Sequence, residues 1–180
     1  MNKLTSLDVS NNTELTYLSV GYNQLTSLDI SMNTALTTLY CNNNKLTSLD
    51  VSKNTELTRL DCGNNQLTSL DVSKNTALTS LSCVWNQLTS LDVSKNTALT
   101  ELYCHSNHIT SLDVSKCTNI EFTNLGCGRQ TDNSGKYFYI ELSANDKMME
   151  YFFENDTIPN CGIGEINFYV EMEGERFPDD

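Results

Sequence analysis

The chain has 180 residues, of which 23 are Asp or Glu and 11 are Lys or Arg, giving a formal net charge of −12. An acidic chain without a basic stripe is a poor match to nucleic acid or to an anionic membrane surface, and no apolar run approaches the ~18 residues that a membrane-inserted helix needs. The acid excess is uneven: residues 1–120 hold 10 acids and 7 bases, whereas residues 121–180 hold 13 and 4.

From the N-terminus a 21-residue unit recurs at 4–24, 25–45, 46–66, 67–87 and 88–108, with a decayed sixth copy over 109–129. A fixed period of this length marks a stacked-repeat architecture, in which each coil buries its apolar side against its neighbours. Asn2-Lys3-Leu4 has the form of Asn44-Lys45-Leu46, a junction between copies. The chain is therefore expected to be a piece of a longer array.

Each unit divides into two similar halves, LTxLxCxxNQ and LTSLDVSKNTA. In the first half, alternate residues of a strand face opposite sides, so Leu39 and Cys41 are expected inward and Thr38 and Tyr40 outward. Cys41, Cys62, Cys83 and Cys104 share a slot with Val20. A slot that takes Val or Cys is a small apolar core slot, and parallel side chains stacked up the array cannot meet in disulfide geometry. Cys117, Cys127 and Cys161 lie off this ladder, and one pair among them could bridge in an oxidising compartment. Two Asn columns are expected to satisfy turning backbone and the adjacent coil together. One is Asn2, Asn23, Asn44, Asn65, Asn86 and Asn107; the other is Asn12, Asn33, Asn54, Asn75 and Asn96, broken at Cys117. The second half is too short for a regular helix and is expected to form a short strand on the opposite wall.

The pattern Leu36-x-x-Leu39-x-Cys41-x-x-Asn44-x-Leu46 resembles the LxxLxLxxNxL motif of leucine-rich repeats, and the nested 10/11 alternation resembles a bacterial class of that family. The resemblance covers residues 1 to about 120 in five copies of one phase. It implies a leucine-rich-repeat solenoid of parallel strands, mostly β with little helix. It also implies a recognition module of a bacterial secreted or surface protein, with a protein or glycan partner and no catalysis. A structural spacer and an intracellular scaffold are the alternatives; nothing in the sequence fixes an oligomeric state.

The copies themselves point to a surface. Their second halves are nearly invariant, whereas four positions of the first half scatter. The first outward row is Tyr17, Thr38, Arg59, Ser80, Glu101; the second is Ser19, Tyr40, Asp61, Ser82, Tyr103. Beyond them lie Gly21, Asn42, Gly63, Val84, His105 and then Tyr22, Asn43, Asn64, Trp85, Ser106. These positions are expected to be free of the demands of stacking, and aromatics gather there, as they do at binding surfaces. The candidate binding residues are Tyr17, Tyr22, Tyr40, Arg59, Asp61, Trp85, Glu101, Tyr103 and His105. No cofactor is implied. The Asp8, Asp29, Asp50, Asp71, Asp92, Asp113 column offers each Ca²⁺ too few ligands. Cys104 and His105 should face opposite sides of a strand, so Cys104-His105-x-x-His108 is a poor zinc fragment.

After Ile120 the phase is lost. Ile120-x-x-Thr123-x-Leu125 keeps the old register with a polar residue in an apolar slot; Phe122-x-x-Leu125-x-Cys127, two residues late, restores the pattern and is favoured. Tyr137–Leu142 alternates as a strand, Ser143 with Asp146 resembles a capping box before an apolar-faced helix, and Ile166–Met172 alternates again. Residues 121–180 are thus expected to form a small α/β cap over the last coil of the 1–120 array.

Overall fold

A computed structural model of the chain describes residues 3–121, 124–127, 130–131, 137–138 and 141–143. Five three-residue strands, β1 (Tyr17–Ser19), β2 (Thr38–Tyr40), β3 (Arg59–Asp61), β4 (Ser80–Ser82) and β5 (Glu101–Tyr103), stack in parallel, one per coil. Their register is set by the repeat: Leu18, Leu39, Leu60, Leu81 and Leu102 stand side by side. These leucines point inward with Leu36, Cys41, Leu46 and their equivalents to form one continuous core. Burying one such leucine contributes about 1.5–3 kcal/mol.

The core also takes Val9, Ile30, Val51, Val72, Val93 and Val114 from the second halves. The expected second-half strand, however, is found in one copy. Among the described residues, strand structure on this wall is confined to β6 (Ser111–Asp113), paired in parallel with β10 (Glu141–Ser143). The other copies have the same TSLD sequence. They are joined coil to coil by bonds such as Gln66 N to Leu46 O, 2.8 Å, and then turn through Asn54 N to Val51 O, 3.0 Å, and Leu57 N to Asn54 O, 3.1 Å. Strand character here follows from having a pairing partner, not from the segment's own propensity.

The front wall passes through the phase break. A sixth front strand, β7 (Leu125–Gly126), adds to β5 with Leu125 beside Leu102, as the late register requires. Cys127 therefore continues the buried thiol ladder and does not lie off it. Cys117 occupies the second Asn column: its Sγ lies 3.5 Å from Val93 O and 3.6 Å from Asn96 O. Both are buried thiols, as are Cys41, Cys62, Cys83 and Cys104, so a Cys117–Cys127 bridge is not formed. Strands β8 (Gln130–Thr131) and β9 (Tyr137–Phe138) pair antiparallel, and Leu142 of β10 joins the core. The expected helix after Ser143, the strand Ile166–Met172 and Cys161 lie outside the described residues.

Two Asn columns tie the coils together by different means. In the first, the side-chain amide of Asn86 donates to Cys83 O of its own coil and Cys62 O of the preceding one, both at 3.1 Å, while its Oδ1 accepts Leu67 N–H at 2.9 Å. Asn44, Asn65 and Asn107 repeat this. Gln130 takes the slot in the sixth coil, donating to Cys104 O and Cys127 O and accepting Ile109 N–H at 3.1 Å. In the second column, Asn75 donates to Val51 O at 2.9 Å and Asn54 O at 2.8 Å, but its Oδ1 is buried without a partner among the described residues, as in Asn33, Asn54 and Asn96. That slot uses a donor and no acceptor, which is why the thiol of Cys117 fits it.

Two predictions follow from this packing. Asn75→Cys should be much milder than Asn86→Cys, which strands the Leu67 N–H at about 1–3 kcal/mol besides losing two donated bonds; urea midpoints of the two variants compare them. The second concerns the thiols. Burial pushes Cys41 and Cys104 up to about 12 and raises Cys62 and Cys83 well above 9.0. The folded state thus holds its thiol protons more tightly. The stability they confer is complete below pH 9 and drains as the pH rises from about 9 through about 12. Replacing Cys41, Cys62, Cys83 and Cys104 by Val, the residue at position 20, should move the alkaline unfolding midpoint upward in a circular-dichroism titration.

Candidate functional site

The strand face presents two rows. In the first, Tyr17, Arg59 and Glu101 are exposed, and the Ser80 hydroxyl donates to a Glu101 carboxylate oxygen at 2.8 Å. In the second, Tyr40, Asp61 and Tyr103 are half-buried, and Asp61 accepts the Gly63 N–H at 3.0 Å. The Tyr17 and Tyr40 rings meet edge to face, with centroids 5.8 Å apart and planes at 80°. Arg59 and Asp61 flank Leu60 on β3. At the other end, the Tyr103 ring lies over Gly126: a Cβ there would be 2.7 Å from it and 3.6 Å from the His105 ring. Tyr103 and His105 are thereby brought together, and His105 Nδ1 lies 3.1 Å from the Ser106 hydroxyl. Cys104 is fully buried and His105 half-buried on the opposite side, the alternation expected of neighbours on a strand.

The two rows beyond the strands are not free of the demands of stacking. Gly21 and Gly63 leave room for the adjacent coil, since a Cβ would come within 2.6 Å of Asn42 and 2.9 Å of Val84. Tyr22, Asn43, Asn64, Trp85 and Ser106 all have left-handed backbone, with φ of 57°, 56°, 54°, 54° and 58°. Their backbone is fixed from coil to coil by bonds such as Asn64 N to Val84 O at 2.8 Å and Asn65 N to Trp85 O at 3.2 Å. Asn tolerates this conformation, whereas a bulky aromatic there is an outlier. Asn43 and Asn64 are what the backbone asks for; Tyr22 and Trp85 are held against its preference. Both rings stand exposed, at 55% and 58%.

The candidate residues thus fall into a tyrosine pair at β1–β2, a charged pair on β3, a Tyr103–His105 cluster with Glu101 nearby on β5, and two isolated rings on the left-handed ladder. Three coil steps separate Tyr22 from Trp85, about 14 Å at the usual strand spacing. Asn43, Asn64 and Gly126 were not among the sequence candidates. Gly126 was readable in principle, because Leu125-Gly126-Cys127 repeats the Leu-x-Cys strand core with Gly in the outward slot.

The Asp column occupies the other wall. The N–H of Ser10, Ser31, Ser52, Ser73 and Ser94 reaches Asp8, Asp29, Asp50, Asp71 and Asp92 at 2.8–2.9 Å. These bonds, backbone first and hydroxyl second, hold the carboxyls below the usual range, and Lys53, Lys74 and Lys95 add to the effect at Asp50, Asp71 and Asp92. The carboxylates therefore serve their own turns. Among the described residues no group of three or more His, Cys, Asp or Glu is placed to hold a metal ion. A hollow of about 230 Å³ near the start of this wall is bordered by Leu7, Asp8, Ser10, Asp29 and the exposed Met32.

Comparison with known families matches residues 13–54 and 34–75 to a model described as Leucine Rich repeats (2 copies), and residues 105–121 to one described as Leucine Rich repeat. Among solved structures, the chain is similar to the functional domain of InlJ from Listeria monocytogenes, described as including a cysteine ladder. The identity is 42% and the TM-score 0.66, over 66% of this chain and 26% of that one. It is also similar in fold to an LRR protein of Leptospira interrogans (24% identity, TM-score 0.60, 79% of this chain, 34% of that one). An internalin, inlF, of Listeria monocytogenes is a third (21%, 0.53, 78% and 47%). The chain therefore spans about a quarter to a half of the lengths of these structures. No curated protein matches it.

The left-handed ladder yields a prediction opposite in sign to the usual effect of truncating a side chain. Tyr22→Asn and Trp85→Asn should each raise stability by about 1 kcal/mol, and Asn64→Trp should lower it by a similar amount. Thermal melts of the three variants check the set.

Proposed function

The chain belongs to the leucine-rich-repeat family, and on that footing we propose that it is a non-catalytic recognition module of a bacterial secreted or surface protein, docking a protein partner on its strand face. One observation carries the reading: the outward rows of an otherwise repetitive sheet change from coil to coil and concentrate Tyr17, Tyr40, Arg59, Asp61, Glu101 and Tyr103 on one surface. Tyr and Arg are the residue types that dominate binding energy at protein interfaces. The Tyr17–Tyr40 pair is pre-arranged, which lowers the entropy lost on docking. Placement at the bacterial surface or outside the cell rests on the similarity to the Listeria InlJ domain. Buried thiols with raised pKa supply almost no thiolate, the form that reacts, so the ladder is compatible with an oxidising compartment. The segment after Glu121 is assigned the role of a cap: β7 extends the front sheet, and β10 pairs on the opposite wall.

Near-identity of the second halves favours a second reading, a spacer that lengthens by duplication. A panel of purified extracellular proteins presented to the chain separates the two. Recognition predicts a binder whose affinity falls at least about tenfold in Tyr40→Ser and in Tyr103→Ser, with Met32→Lys on the other wall unchanged. Binding that survives both strand-face substitutions removes this site; a panel without a binder favours the spacer.

A further inference from the structure

The left-handed ladder is a surface of its own, and its chemistry differs from that of the strand face. We propose that the ridge Tyr22–Asn43–Asn64–Trp85 binds a linear, uncharged polysaccharide. The reading shares with the one above only the premise that the array recognises something; it uses other residues and another class of ligand.

Four observations converge on it. The two rings are exposed at 55% and 58%, three coil steps apart. Between them, the Asn64 amide donates to Asn43 Oδ1. An amide pair joined in this way retains donor and acceptor capacity for hydroxyl groups. The ridge and the row before it (Gly21, Asn42, Gly63, Val84, His105) contain no Lys, Arg, Asp or Glu, in a chain whose net charge is −12. In the row two positions after it the one charged residue, Lys45, turns its ammonium to Gln24 at 3.5 Å. The aromatic rings sit where the backbone resists them, and strain of this kind persists at functional positions.

A line of two aromatic platforms with amides between them offers what a sugar chain uses. The C–H faces of pyranose rings pack on aromatic faces, whose quadrupole attracts them, and ring hydroxyls exchange hydrogen bonds with amides. The interval of about 14 Å is a few pyranose rings long, so one chain can lie along the ridge and touch both platforms. Neutrality of the ridge selects an uncharged glycan. A sulfated or carboxylated one would meet no cation on the ridge itself and would approach a protein of its own sign, and a nucleic acid would find one flanking lysine, Lys45, for all its phosphates.

Trp85 is the single Trp of the chain, so its fluorescence reports on this ridge alone. Titrating the whole chain with hexasaccharides of β-1,4-linked glucose, mannose and N-acetylglucosamine should give a saturable change in emission with at least one of them, and none with a heparin hexasaccharide. Calorimetry with the responding sugar should show at least about tenfold weaker binding in Tyr22→Asn and in Trp85→Asn, both of which keep a residue that the ladder already uses and should melt no lower than the parent chain. Tyr40→Ser and Tyr103→Ser should bind the sugar as the parent does, which separates failure of this ridge from failure of the strand face. No response to any of the three neutral sugars, preference for heparin, or undiminished binding in the two Asn variants would each overturn the proposal.

Discussion

The array depends on one interaction: a primary amide that bonds to two coils at once. Asn44, Asn65, Asn86 and Asn107 each donate to the carbonyl three residues back and to its equivalent one turn of the solenoid earlier, and accept the N–H of the leucine 19 positions before them, which lies on that earlier turn. A chain that turns inside a protein must satisfy its backbone somewhere, and a three-residue strand leaves much of each coil unpaired. The amide meets both needs, and it fixes the vertical register that brings Leu beside Leu and thiol beside thiol. Threonine adds an outer seam, with the hydroxyls of Thr37, Thr58, Thr79 and Thr100 each donating to the equivalent threonine carbonyl one coil earlier. Much of what repeats in the sequence is thereby assigned to core or seam.

What varies is then of two kinds. On the strands, the outward side chains change while the backbone stays in a conformation that any residue adopts. On the left-handed ladder, the backbone favours Asn, and a departure from it has a cost. The first kind of variation is cheap and the second is not. Trp85 and Tyr22 are therefore weightier observations than an exposed aromatic on a strand.

The period, the inward Leu and Cys slots, the first Asn column and the parallel stacking were legible in the residues, because a 21-residue repeat shows every constraint five times over. The late register at Leu125 and Cys127 was legible too, once an insertion was allowed. Other features were hidden because they depend on neighbours. The strand at Ser111–Asp113 has the TSLD of its sister copies, and only the arrival of Glu141–Ser143 makes it a strand. Gln130 does not look like Asn107 until the two-residue insertion is counted, and Cys117 does not look like Asn96 until the buried Oδ1 is seen to be idle. The left-handed φ at Trp85 hid behind its mixed occupancy: Asn in two copies hinted at it, but Tyr, Trp and Ser in the others masked the signal. A slot read as unconstrained proved to be the most constrained of the variable ones.

The first amide column also gives the array a direction. Each amide reaches toward the N-terminus, so a coil is completed by the coil that follows it: Leu67 N–H and Cys62 O have their partner in Asn86. The two ends of such a stack are not equivalent. Each coil has open groups on one side that a later residue must fill. The decayed copy does this as well, since Gln130, one methylene longer than Asn and two residues late, reaches Cys104 O and Ile109 N–H from a segment that is no longer a proper repeat. A coil that no longer copies the repeat can still complete the one before it, provided that it delivers one carboxamide to that place.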